Sequence, residues 1–210
     1  LKSFVLFAIV AVAVFMPFLQ ESNFLDMYSN NIDKYNYASL HAYNIHTLLG
    51  ADFVQDTELM NFLPISYRDF GITLTLTFII VLTYMFFKYY NQKNSFMFLW
   101  LYSSGIFILM TRMHERYLFY ALLFSVLALI ENFDRKLFIL SLTQGFIIFV
   151  NHFNVYYFMH RVLQEKRDLW ISAYGKISIA FSLISVVLFF MIVYYGFKSI
   201  REGKEVLDAK

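Results

Sequence analysis

The chain has 210 residues, of which 60% are hydrophobic, 21% aromatic and only 15% charged. Soluble domains carry about 25% charged residues, so this composition excludes an ordinary soluble domain and points to an integral membrane protein. A net charge of +2 without a basic stripe in any polar segment excludes a nucleic-acid partner, and the absence of cysteine excludes a disulfide framework or a thiolate metal site.

The apolar residues fall into six blocks, 3–19, 71–87, 95–111, 117–130, 137–150 and 171–197. They predict an all-α, polytopic, multi-pass transmembrane helical bundle of about six spans, treated as a single domain over 1–210. The first block begins almost at Leu1 and runs through Phe15, Met16 and Phe18 without a small-residue cleavage site. It therefore reads as a span rather than a signal peptide, in what we expect to be the C-terminal part of a larger protein. Two blocks, 117–130 and 137–150, are short against the ~20 residues that cross a bilayer. If the count is off by one hairpin, 117–150 is where it is expected.

The loop at 20–70 carries Glu21, Asp26, Asp33, Asp52, Asp56, Glu58 and Asp69 against Lys34 and Arg68. Within it Ala38, His41, Ala42, Ile45, Leu48 and Leu49 recur at helical spacing, with Gly50 where a left-handed cap belongs. These predict a short amphipathic helix at 38–49, lying on the membrane or over a cavity. With six spans this loop, the cluster 112–116 and the loop 151–170 share one side, and both termini, including the tail 198–210, share the other. Excluding Lys176, nine basic residues go with the termini and seven lie opposite. That balance favours a cytoplasmic tail and an extracytoplasmic 20–70 loop.

All five histidines, His41, His46, His114, His152 and His160, fall on the side of the long loop. His46, His152 and His160 are expected to be interfacial, as histidine and aromatic residues often are. Their spacings give no i, i+4 pair, so no metal and no cofactor is expected. The cluster RMHER at 112–116 precedes an uncharged block. On a helical wheel from Arg112, Arg116 falls near 40° and Glu115 near −60°, a face on which Glu115 would hold two guanidinium groups for an anion. The plain alternative is a set of interfacial charges that end a span and snorkel to water. Against it, the 14 residues between Arg116 and Glu131 cover ~21 Å of a ~30 Å hydrocarbon core, so one end is expected below the headgroups.

MHERYLF at 113–119 resembles the MHERYLFP signature of bacterial membrane mannosyltransferases related to the second mannosyltransferase of GPI-anchor synthesis, within the GT-C glycosyltransferases. YASLHAYNIHTLLG at 37–50 resembles a second segment of that family, matching at Ala42, Asn44, Leu48, Leu49 and Gly50. Here His41 stands for the family's asparagine, His46 for tryptophan, and Tyr120 follows LF in place of proline. The resemblance covers about 37–124. It implies that His114, Glu115 and Arg116 lie at the phosphate of a polyprenyl-phosphate sugar donor, with Tyr117, His41 and Asn44 in the same substrate site. Arg112 joins them on the wheel argument. The family's catalytic acid sits in an earlier external loop, so no catalytic residue is assigned within this chain.

The function implied is transfer of a sugar from a lipid-linked donor to a glycan, lipid or protein acceptor on the extracytoplasmic side, in the plasma membrane, with no metal required. A multi-span transporter or flippase is the alternative, but it calls for ionisable groups near the bilayer midplane, where this chain offers Gln144 with scattered Ser and Thr. A non-catalytic membrane scaffold is the third reading.

Overall fold

The computed structural model describes the backbone of residues 35–162 and 167–208, with positions 5, 6, 9, 10, 12, 13 and 16 ahead of them, and side-chain surroundings over 35–157 and 174–203. The chain divides into two compact units, Leu1–Asn36 and Tyr37–Lys210. In the first, the described positions 5, 6, 9, 10, 12 and 13 are helical. Positions 16, 35 and 36 are also described there, and the second unit is mostly helical.

The second unit opens with an irregular cap. Strand β1 (Ser39–Leu40) is followed by the four-residue helix α1 (Ile45–Leu48) and a tight antiparallel hairpin of β2 (Leu59–Met60) and β3 (Leu63–Ser66), in register Leu59↔Ser66 and Met60↔Leu63. Ala38, Ala51, Met60 and Tyr67 form a small core beneath it. The amphipathic helix expected over 38–49 is therefore shorter than its pattern. Asn44 adopts an extended backbone and accepts the Thr47 N–H at 3.0 Å, which makes it an N-cap and confines the helix to the residues after it. His41, one turn earlier, takes a left-handed φ of 57°. Gly50 does occupy the left-handed conformation expected of a helix stop, with φ 78°.

Helix α2 (Tyr67–Tyr89) starts at Ser66, whose Oγ accepts the Asp69 N–H and donates to its carboxylate. It leads through a 3-10 turn at Gln92–Asn94 to α3 (Ser95–Leu109), the most enclosed helix, which packs against α2, α4 and α6. A short strand β4 (Met113–His114) and a 3-10 turn at Glu115–Tyr117 precede α4 (Leu118–Glu131). Asp134 then accepts the Lys136 and Leu137 N–H groups and starts α5 (Arg135–Val162), and α6 (Arg167–Asp208) follows. Positions 198–208, expected as a tail, continue α6, and much of the expected loop 151–170 is helix as well.

Three helical stretches, Tyr67–Tyr89, Arg135–Tyr157 and Tyr174–Gly203, are long and apolar enough to cross a membrane. Their outward surfaces fit that reading: Phe87, Ile80 and Phe149 are 82%, 68% and 65% exposed, an arrangement water would penalise and lipid would not. The count of six spans is not reached among the described residues. The two helices that fall short are α3, with 15 residues, and α4, with 14. The short pair is thus 95–131 rather than 117–150, because the block at 137–150 extends in both directions into the 28-residue α5.

Lipid supplies little drive for apolar helix faces to associate, so close packing and interhelical hydrogen bonds do more of the holding. Trp100 Nε1 donates to Gln144 Oε1 at 2.8 Å and Gln144 Nε2 donates to Ser104 Oγ at 3.1 Å, tying α3 to α5. The Ser125 and Ser141 hydroxyls meet at 2.7 Å between α4 and α5. Gly105 of α3 lies so close to Phe78 of α2 that a Cβ there would stand 2.1 Å from the ring.

Candidate functional site

The cap and the α3–α4 connection meet at one end of the bundle, through β1 and β4. They pair in parallel, Ser39↔Met113 and Leu40↔His114, with a further bridge between His41 and His114. Arg112 N–H donates to Tyr37 O at 3.1 Å, extending the seam. Segments 37–50 and 113–119 are therefore neighbours.

The wheel that grouped Arg112, Glu115 and Arg116 does not describe this end. Arg112 has φ 61°, Met113–His114 is strand and Glu115–Tyr117 is a 3-10 turn, so α4 begins only at Leu118. Arg112 Nε instead donates to Asp56 Oδ2 at 2.7 Å. Asp56 is fully buried and also receives Arg68 through Nη2 at 2.9 Å and Nε at 3.2 Å. Burial pushes the Asp56 carboxyl up, but the hydrogen bonds and charges of Arg68 and Arg112 outweigh it and hold it below its ordinary value. This ion cluster clamps the cap onto the β4 segment.

Around the seam stands a set of polar side chains from four parts of the chain. His41 N–H donates to Asp52 Oδ1 at 2.8 Å, and His41 Nδ1 is hydrogen-bonded to the Tyr174 hydroxyl of α6. The His41 Nδ1 lies 3.9 Å from Asp52 Oδ2, and His114 Nδ1 lies 4.0 Å from Glu115 Oε2. Burial, with His114 adding to it, pushes His41 down to about 4, so its ring is neutral at pH 7. Burial pushes Asp52 up to about 6, against the hydrogen bonds from His41, Tyr174 and Ser39. His114 is also lowered, by burial first and Arg116 second, with Glu115 opposing. Arg116 and Tyr117 are exposed, the guanidinium 5.8 Å from the Tyr117 ring centre.

Asn44 and His46 are buried supports rather than open groups. Asn44 caps α1 and is fully buried. His46, expected at the interface, is packed against Gly71, with Nε2 3.1 Å from Leu109 O, and burial lowers it to about 4. The Nε2–H tautomer satisfies that carbonyl and braces the cap on the ends of α2 and α3. Tyr43 is anchored alongside, its hydroxyl accepting Asn154 Nδ2 at 2.8 Å and its ring stacked on Phe181. His152 bonds its own helix at Ile148 O, and the side chain of His160 lies outside the described residues.

Two members of this set were not singled out in the sequence. Asp52 is returned to His41 by the turn at Gly50, where Ala51 N–H donates to His46 O and Phe53 N–H to Ser39 O. The glycine was a usable signal for that reversal. Tyr174 lies 133 positions from His41 and carried no local signal. Among the described residues no group of three or more His, Asp or Glu converges as a metal site. Chemically, the arrangement offers two partly buried carboxylates, Asp52 and Glu115, three rings, His41, His114 and Tyr174, and one exposed guanidinium at one end of the helical bundle. Compared with protein-family models, with curated proteins and with solved structures, the chain matches none.

Proposed function

We propose that this chain belongs to a multi-pass membrane glycosyltransferase, similar to the GT-C mannosyltransferases, that transfers a sugar from a polyprenyl-phosphate donor on the extracytoplasmic face of the plasma membrane. One observation carries the reading: the two segments with that resemblance, 37–50 and 113–119, pair as adjacent strands and put His41 beside His114. The short helices support it. At ~1.5 Å per residue, α3 and α4 rise ~22 Å and ~21 Å, so a chain crossing ~30 Å of hydrocarbon would hold their connection below the headgroups, where a lipid-linked phosphate lies.

In this reading the acceptor hydroxyl attacks the anomeric carbon, the bond to the lipid phosphate breaks, and the leaving phosphate keeps the electron pair. Arg116, always charged and exposed, and His114 as a hydrogen-bond donor meet the charge that develops there, with Glu115 and Tyr117 orienting them. Asp52, whose carboxyl is ionised at pH 7, takes the hydroxyl proton, filling a role the sequence left to an earlier loop. Arg112, engaged by Asp56, holds the loop in place. Six spans follow in this reading if the first apolar block and the α3–α4 pair all cross.

The test is transfer of labelled sugar from a polyprenyl-phosphate donor in membranes holding the full-length protein. Arg116→Ala or His114→Ala is expected to lower the rate about 10²-fold to 10³-fold with the protein still inserted. Arg116→Lys is expected to recover only part, because a point charge lacks the bidentate geometry. Inserted variants that transfer at the wild-type rate would reduce the cluster to an interfacial stop signal.

A further inference from the structure

At the far end of α2 from the site, the turns 90–94 and 132–134 and the α6 segment near Lys198 enclose a cavity of about 420 Å³. Its polar lining includes Asn91, Lys93, Asn132, Lys136, Tyr195 and Lys198. Two acids, Asp134 and Glu202, also line it, but both are engaged. Asp134 Oδ1 accepts the first amides of α5, and Glu202 Oε1 lies 3.6 Å from Lys198 Nζ. Among the described residues Lys93 and Lys136 have no carboxylate partner; the Lys136 ammonium lies 5.1 Å over the Tyr195 ring. Three lysines against two carboxylates leave the lining one net positive charge, around a cavity large enough for a phosphodiester and its substituent.

A second, independent observation says what the anion is attached to. Phe133 lines this cavity and also an apolar groove of about 510 Å³ between α4 and α5, walled by Leu122, Val126, Ile130, Phe138 and Leu142. The groove faces outward: Val126, Ile130 and Leu142 are all exposed, on helices that lipid would surround. Cationic polar space joined at one residue to an apolar channel matches a molecule with a negative head and a hydrocarbon tail. A soluble phosphate would use only the first, and a neutral lipid would gain nothing from the lysines.

We propose that this end of the bundle binds one anionic phospholipid, its phosphodiester headgroup between Lys93 and Lys136 and one acyl chain along the α4–α5 groove past Phe133. The site is separate from the sugar-transfer reading and stands or falls without it. Its position is suited to pinning the α3–α4 pair, since the headgroup would bridge the start of α3, the end of α4 and the start of α5.

Native mass spectrometry of the detergent-purified full-length protein, titrated with dioleoyl phosphatidylglycerol or dioleoyl phosphatidylcholine, tests it. The anionic lipid is expected to bind more tightly by an order of magnitude. Lys93→Gln with Lys136→Gln is expected to lose roughly 25-fold, about fivefold per lysine near a headgroup, while Lys88→Gln, outside the cavity, changes little. Leu142→Trp, which fills the groove, is expected to weaken both lipids equally. Equal affinity for the two lipids overturns the proposal, as does a Lys88→Gln loss matching the double variant's. Displacement by millimolar inorganic phosphate together with an inert Leu142→Trp would make the cavity a soluble-anion site and also overturn it. If the double variant does not fold, the single lysine variants, each expected to lose about fivefold, decide the same question.

Discussion

Asp52 and His41 share a hydrogen bond, yet burial moves their proton equilibria in opposite directions. The carboxyl is raised from 3.8 to about 6 and the imidazole lowered from 6.5 to about 4. A carboxyl with a raised folded pKa contributes most below its unfolded value, and that contribution is lost as pH rises through the folded one. Asp52→Asn is therefore expected to gain stability relative to wild type as pH rises from about 4 to about 6, by on the order of 2–3 kcal/mol. Unfolding in detergent at a series of pH values checks this, and a constant difference would mean that Asp52 is solvated. The same titration bears on the proposed chemistry, since transfer by a base at Asp52 should rise with pH through about 6. His41 has the opposite sign: its neutral ring is favoured above 6.5 and that gain is lost as pH falls toward 4. At this scale the sequence was partly legible. Asn44, His114 and Gly50 stood out through motif and turn chemistry, whereas Arg112 was read through a helical wheel. Its left-handed backbone and its partner Asp56, 56 positions away, have no local trace.

Helix α3 shows how an element can be correct in extent and still be decided by its neighbours. Its apolar block predicts a helix at 95–111 and the structure has one at Ser95–Leu109, but no periodicity identifies which face meets α2. That face is set by Gly105, beside which the Phe78 ring fits against Phe189 of α6. Gly105→Ala would bring a Cβ within 2.1 Å of the ring, and overpacking of this kind costs about 1–3 kcal/mol. The thermal midpoint in detergent is expected to fall for Gly105→Ala and to recover in part when Phe78→Leu is added; no recovery would mean the clash lies elsewhere. The segment 38–49 teaches the converse. Its apolar spacing is helical over twelve positions, yet 39–40 is strand, because pairing with β4 and the Asn44 cap satisfy backbone groups that a helix would otherwise use.

For the whole molecule, α2 carries the chain from the cap to the lysine end and α3 returns it, so the cap and the 112–116 loop share one end. The chain has no native cysteine, which makes single-cysteine labelling direct. Gln55→Cys and Arg116→Cys are expected to react with an impermeant thiol reagent from one side of sealed vesicles, and Gln92→Cys only from the other. Labelling of position 92 together with 55 would show that α2 does not cross. Composition pointed to lipid, because 60% hydrophobic residues with only 15% charged lie far from ordinary soluble usage, and the length of the apolar blocks pointed to helices. The apolar blocks placed most of the helices, since each helix bonds its own backbone and needs no distant partner. Tertiary structure alone decided which helices are long enough to span, that 37–50 and 113–119 lie side by side, and that Asp52, His41 and Tyr174 meet. Those outcomes depend on strand pairing, buried ion pairs and packing between residues far apart in the chain, and the energy of such contacts is set by geometry that no window of sequence contains.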